Sequence, residues 1–210
     1  MTADGGRQTA VQLVLASSSP RRRELLGLLG LTPVVDPAHI DERRAPGEHP
    51  EAYVERLARE KAAVVAARHP DAVIVAADTT VAIGDDIFEK PTDQADAARI
   101  LKRIQGRSHV VHTGIAVVFN GHVSSGVETT RVWMRPLDDD AIREYIATGE
   151  PMDKAGAYGI QGYGSVIVEK VEGDYFTVMG LGLGRLVALM RDAGLVYRFS
   201  GLFVGEEVRR

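Results

Sequence analysis

Cysteine is absent from this chain of 210 residues. Its absence excludes disulfides and thiolate metal sites and suits a reducing compartment, so a cytoplasmic location is expected. No apolar run approaches the roughly 20 residues that a bilayer-spanning helix needs, and no membrane partner is expected. The first eight residues are polar and carry no apolar core, so no secretory signal is expected there. An excess of positive charge is also missing. The net charge is −4, which argues against nucleic acid as a partner through bulk electrostatics, so any anion site must be local. There is no internal repeat, no long linker and no P-loop lysine motif, and the last of these removes the kinase and motor-ATPase readings. The six histidines show no metal-ligand spacing. His109 and His112 share one strand and read as structural.

What remains is an ordinary globular composition, 45% hydrophobic and 26% charged, long enough for a sizeable core. The elements alternate between helical and strand patterns, which points to a single α/β domain with two lobes over residues 12–196. Residues 1–11 read as a disordered lead-in and residues 197–210 as a tail. Residues 14–16 start a strand and residues 21–29 form a short helix closed by Gly30. Ser19 fits the N-cap of that helix and Pro20 its first position. Residues 51–69 carry the clearest helical stripe: Val54, Leu57, Ala58, Ala62 and Val65, with Lys61 in the gap of the same face. A lysine there needs an anionic partner or a polar cavity, or its stem must snorkel out to solvent.

Residues 72–77 form a continuous apolar run expected to be a doubly buried strand, with Asp78 and Thr79 at its C-terminal end. A small hairpin follows across residues 84–86, and residues 93–104 form a helix. Asn120-Gly121 signals a long antiparallel hairpin between residues 110–119 and 122–134. Residues 138–147 read as a helix and residues 155–164 as a glycine-rich loop. A second hairpin is expected across residues 172–174, pairing 165–170 with 175–178, and a last helix spans 186–192. Gly180 to Gly184 has the wrong spacing for a dinucleotide fingerprint and reads as helix entry.

The polar residues in unexpected places are Arg21, Arg22, Glu42, Lys61, Asp78, Lys90 and Gln161. Several end strands or lie on loops beside them, where open α/β sheets place ligands. Cations combined with one or two carboxylates suit a metal–polyphosphate site. Carboxylates such as Glu42 and Asp78 can hold Mg²⁺ or Mn²⁺, while arginine and lysine neutralise phosphate oxygens. Each also has a plainer reading: Asp78 as a turn cap, Glu42 and the arginine triplet as solvated surface, Lys90 as a turn residue.

Five motifs resemble the Maf family of nucleoside triphosphate pyrophosphatases. They are Leu15-Ala16-Ser17-Ser18-Ser19-Pro20-Arg21-Arg22, Arg59-Glu60-Lys61-Ala62, Ala76-Ala77-Asp78-Thr79, Glu89-Lys90-Pro91 and Ala155-Gly156-Ala157-Tyr158-Gly159-Ile160-Gln161-Gly162, in family order. The resemblance implies a Maf/Ham1-type α/β fold, an elongated mixed sheet flanked by helices with a cleft between two lobes. It also implies hydrolysis of a nucleoside triphosphate to the monophosphate and pyrophosphate with a divalent cation, Mg²⁺, Mn²⁺ or Co²⁺.

By position, Asp78 resembles the general base, and Glu42 with Asp78 the metal carboxylates. Arg21, Arg22, Lys61 and Lys90 resemble the triphosphate clamp. Ser17 belongs to the same substrate-binding set. Arg21, Thr79 and Gln161 match positions tied to substrate choice in the branch acting on dTTP and UTP, or on modified pyrimidine nucleotides. A glutamine amide can pair with both a carbonyl and an N–H of a pyrimidine edge. The alternatives are the 7-methyl-GTP branch, an ITP/XTP-type enzyme, or a nucleotide-binding regulator of septum formation. A homodimer is left open. Gly182 stands where a proline is expected before the last helix, and that puts the helix entry in question.

Overall fold

The computed structural model describes residues 11–205, so residues 1–10 of the expected lead-in at 1–11 and the last five residues of the expected tail lie outside it. The core is a seven-stranded mixed sheet with the order β2-β1-β3-β5-β6-β7, and β4 pairs with β3. Its strands are β1 (Leu13–Leu15), β2 (Val34–Val35), β3 (Val73–Ile83), β4 (Asp86–Phe88), β5 (Ser108–Phe119), β6 (His122–Met134) and β7 (Val168–Glu172). β1 runs parallel to β2 and β3, and the remaining pairs are antiparallel.

Alternation along β3 explains its apolar run. Ile74 and Ala76 pack with Ala58, Ala62 and Val65 of α2 (Pro50–Ala66) on one face. Val73, Val75 and Ala77 pack on the other face with Leu25 and Leu26 of α1 (Pro20–Leu28) and with Leu186 and Met190 of α6 (Leu183–Asp192). Both faces are covered, so both sets of side chains must be apolar. A third cluster joins Val81 to Ile100 and Ile104 of α3 (Gln94–Ile104), to Ile142 of α4 (Asp139–Ala147), and to Tyr158. The long strands β3 and β5 thus carry core packing at each end, and these are the two lobes.

The strand carrying Asp78 differs from expectation. β3 does not end at Ala77 but continues through Asp78, Thr79 and Thr80 to Ile83, held by continuous pairing to β5 from Ile74 to Ala82. On its other edge, β1 pairs only with Val73–Val75 and β4 only with Val81–Ile83. Residues 76–80 therefore have no strand partner on that edge among the described residues. The sheet opens there, and Asp78 sits in the opening.

Two further expectations are corrected. Tyr175–Met179 is a helix, α5, and not a strand, because the Asp174 carboxylate caps it by accepting from the Thr177 N–H at 2.7 Å. That bond supplies a start signal which overrides the strand preference of Tyr, Phe, Thr and Val. β7 pairs with β6 instead, and residues 162–166 form a 3₁₀ turn before it. The expected tail is ordered over its first part: β8 (Leu195–Arg198) and β9 (Gly201–Val204) form a hairpin, and Leu195 and Leu202 are buried in the first core. Gly182 does not prevent helix entry. It sits at the N-cap of α6 with extended backbone.

Candidate active site

α1 begins as its residues dictate, with Pro20 in the first turn and the Ser19 hydroxyl accepting from the Arg22 N–H at 3.4 Å. This points the residues after β1 into a cleft of about 1250 Å³ between the lobes. Its lining includes every residue singled out from the sequence: Ser17, Arg21, Arg22, Glu42, Lys61, Asp78, Thr79, Lys90 and Gln161. They reach it from separate elements: the β1–α1 turn, the loop before α2, α2 itself, β3, the β4–α3 connection and the glycine-rich loop.

At the centre is a buried ion pair. Lys61 Nζ lies 2.6 Å from Asp78 Oδ1 and 2.9 Å from Glu42 Oε1. Lys61 and Asp78 are 8% and 9% exposed, so the lysine neither snorkels to solvent nor lacks a partner. The α2 stripe that aims it at the sheet sets it beside the polar window of β3. Burial pushes the Asp78 carboxyl above the usual carboxylate range, against the opposing pull of Lys61 and Arg22.

Arg22 braces the opposite face of β3. Its Nε donates to the Gly180 carbonyl at 2.9 Å, and its two terminal nitrogens donate to the Ser17 hydroxyl at 2.9 Å and the Thr79 hydroxyl at 3.1 Å. Burial pulls its pKa down from the usual arginine value. A guanidinium has five N–H donors, so donors remain for an anion in the cleft. Thr79 is tied onward to Thr113 at 3.0 Å, and Thr113 donates to the Thr177 carbonyl at 2.8 Å. Arg21 crosses the cleft and pairs with Asp153 at 2.8 Å. Lys90 and Gln161 are exposed to it, and Arg23 faces solvent outside it.

Three cleft residues, Tyr53, Glu89 and Asp153, are not singled out by the sequence. Tyr53 places its hydroxyl 2.8 Å from the Glu42 carbonyl and 2.6 Å from the Glu89 carboxylate, which ties the Glu42 loop to the β4–α3 connection. Glu89 stands in the quoted Glu-Lys-Pro motif, and that was its only signal. Asp153, the partner of Arg21, had none.

Among the described residues no cluster of three or more His, Cys, Asp or Glu side chains forms a ready metal cage. The chemistry of the donor set still fits a divalent cation. Glu42 and Asp78 flank one ammonium and offer carboxylate oxygens to the cleft. Mg²⁺-like ions are commonly held by one or two carboxylates, with phosphate oxygens and water completing the shell.

An open mixed sheet, split at its centre over a buried lysine–carboxylate pair and walled by arginine and lysine, defines an α/β cleft protein built for a polyanionic ligand. The chain belongs to the Maf family: the model described as "Maf-like protein" matches residues 12–193. It is 47% identical over 184 residues to a protein of Koribacter versatilis named "dTTP/UTP pyrophosphatase", covering 88% of this chain and 95% of that one. It is 52% identical over 183 residues to a Myxococcus xanthus protein of the same name, covering 87% and 93%. A solved HAM1 protein from Coxiella burnetii is 16% identical with a TM-score of 0.47, covering 87% of this chain and 100% of that one, a likeness too loose to carry a functional reading.

Proposed function

We propose that the protein hydrolyses the pyrimidine nucleoside triphosphates dTTP and UTP to the monophosphate and pyrophosphate, with a divalent cation and in the cytoplasm. The observation that carries the reading is the buried Lys61–Asp78 pair with the exposed Glu42 beside it, open to a cleft whose walls hold Arg21, Arg22 and Lys90. Relatives 47% and 52% identical bear that activity in their names.

Asp78 is the general base. Its carboxylate takes a proton from water, the water oxygen joins the α-phosphorus, and the α–β phosphoanhydride bond breaks to release pyrophosphate. A carboxyl raised by burial is a better base near neutral pH than a solvated one. Lys61 keeps it ionised and holds its orientation. Charge developing on the leaving pyrophosphate meets Lys90 and Arg21, the latter exchanging its Asp153 partner for phosphate oxygens. Arg22 keeps Ser17 and Thr79 in place and adds positive field. Glu42 and Asp78 are the residues that would hold Mg²⁺, Mn²⁺ or Co²⁺. Such an ion, when bound, neutralises phosphate charge and acidifies water. Gln161 reads the base from the exposed loop.

A pyrophosphate-release assay across dTTP, UTP, modified pyrimidine triphosphates and the purine triphosphates, with each of the three cations, tests the reading. It expects the highest kcat/KM on dTTP and UTP. A preference for 7-methyl-GTP or ITP, or nucleotide binding without pyrophosphate release, would overturn it.

A further inference from the structure

Gln161 is exposed on a loop of irregular backbone, yet a residue that selects bases must be held to within a fraction of an ångström. The structure shows what holds it. Glu150, at the start of the turn after α4, aims its carboxylate at the loop from behind. Its Oε2 accepts from the Tyr163 N–H at 2.8 Å, and its Oε1 accepts from the Gly164 N–H at 2.8 Å and from the Tyr145 hydroxyl at 2.8 Å. The same Tyr145 oxygen accepts from the Gly159 N–H at 3.0 Å. Backbone donors on both sides of Gln161, two residues before and two and three after, thus end on one carboxylate and the phenol bonded to it.

The glycine pattern agrees. Gly162 has a φ of +62°, and a Cβ there would collide with Glu150 Oε2. A Cβ on Gly164 would collide with the Gly159 carbonyl and lie 2.7 Å from the Tyr145 hydroxyl. The loop lacks side chains where it wraps this anchor. The anchor also reaches the opposite wall, since Lys154 Nζ donates to the Glu150 carbonyl and to Asp153, each at 2.6 Å, and Asp153 holds Arg21.

We propose that Glu150, with Tyr145 behind it, is the positioning residue that fixes the Gly159–Gly164 loop and so sets how sharply Gln161 discriminates between bases. The inference rests on the pyrimidine triphosphatase reading for its substrate. Charge on Glu150 matters because one carboxylate accepts three hydrogen bonds, and hydrogen bonds to an ionised acceptor are stronger than neutral ones. An amide in its place has a single acceptor oxygen and turns a donor toward one of the loop N–H groups.

The test uses the full-length protein with Glu150→Ala, Glu150→Gln and Tyr145→Phe. Pyrophosphate release gives kcat and KM on dTTP, UTP, dATP and dGTP, and hydrogen exchange is followed at the amides of residues 159, 163 and 164. Glu150→Ala is expected to lower the pyrimidine-to-purine ratio of kcat/KM about tenfold, with kcat on dTTP changing less than the ratio does. Glu150→Gln and Tyr145→Phe should lie between it and the parent protein in that ratio, and exchange should quicken at residues 163 and 164 in the Glu150 variants and at residue 159 in Tyr145→Phe. Equal losses on all four nucleotides, or unchanged exchange, would overturn the proposal and leave Glu150 a merely structural residue. Should the parent protein itself show no pyrimidine preference, the substrate reading fails; the exchange rates then decide the positioning role alone. If Glu150→Ala does not fold, the other two variants carry both measurements.

Discussion

The two walls of the cleft are built in different ways. The wall bearing Asp78 and Lys61 is made of regular structure: Asp78 lies mid-strand in β3, paired to β5 through Gly114 on one edge, and Lys61 lies within a 17-residue helix. The wall bearing Gln161 is a run of turns with glycines at positive φ, organised by the Glu150 carboxylate. Strand and helix hold reacting groups in a frame that many core contacts enforce. A loop pinned by a few hydrogen bonds can change its sequence without disturbing that frame. In the proposed mechanism the chemistry falls on the first wall and recognition on the second.

The largest expected effect breaks the first wall chemically. Asp78→Asn keeps the side-chain shape but removes the base, and turnover should fall about 10³-fold while nucleotide binding by calorimetry survives. A variant that still turns over near the parent rate would remove Asp78 from the mechanism.

Next comes its stability. Lys61→Met leaves Asp78 buried beside Arg22 but without its ammonium, and losing one partner of a buried pair should cost about 3 kcal/mol in urea unfolding. Adding Asp78→Asn to that variant should restore part of the stability and none of the activity. If the double variant is no more stable than Lys61→Met, the pair is not the source of the loss.

Behind the second wall, His109 is 2% exposed and bonded to the Tyr158 hydroxyl at 2.7 Å. Its Nδ1 has no hydrogen-bond partner among the described residues. Burial lowers its pKa from 6.5 to about 4. Between those values the unfolded chain binds the proton and the folded one does not. The stability this contributes is therefore present above pH 6.5 and is lost as pH falls through about 4. The gap corresponds to about 3 kcal/mol. His109→Gln should flatten this part of the acid limb, as read from urea midpoints between pH 7 and 4.5; an unchanged slope would show that His109 is not its source.

The same contrast separates what could be read from the sequence. The helix stripe with Lys61 in its gap, the Ser19–Pro20 helix start and the Asn120–Gly121 hairpin are local patterns, and the structure has all three. The site residues were visible as polar groups out of place, because burying a charge requires a partner. The partners themselves were not visible. Lys61 meets Asp78 across 17 positions, Arg21 meets Asp153 across 132, and Glu150 meets Gly164 across 14. Asp78 marked the end of an apolar run, and apolar periodicity reports burial rather than strand continuation, so β3 was read as ending six residues early. Tyr175–Met179 failed for a related reason: its residues favour strands, and only the Asp174 cap turns them into a helix.

The proposed division between phosphate contact and base recognition is tested most directly by one matrix of kcat/KM values, dTTP and UTP against dATP and dGTP, for Lys90→Ala and Gln161→Ala beside the parent protein. Lys90→Ala should lower all four values by a common factor, since every triphosphate presents the same phosphates. Gln161→Ala should shrink the pyrimidine-to-purine ratio about tenfold and lower the purine values least. A common factor from Gln161→Ala, or a changed base ratio from Lys90→Ala, would contradict the account.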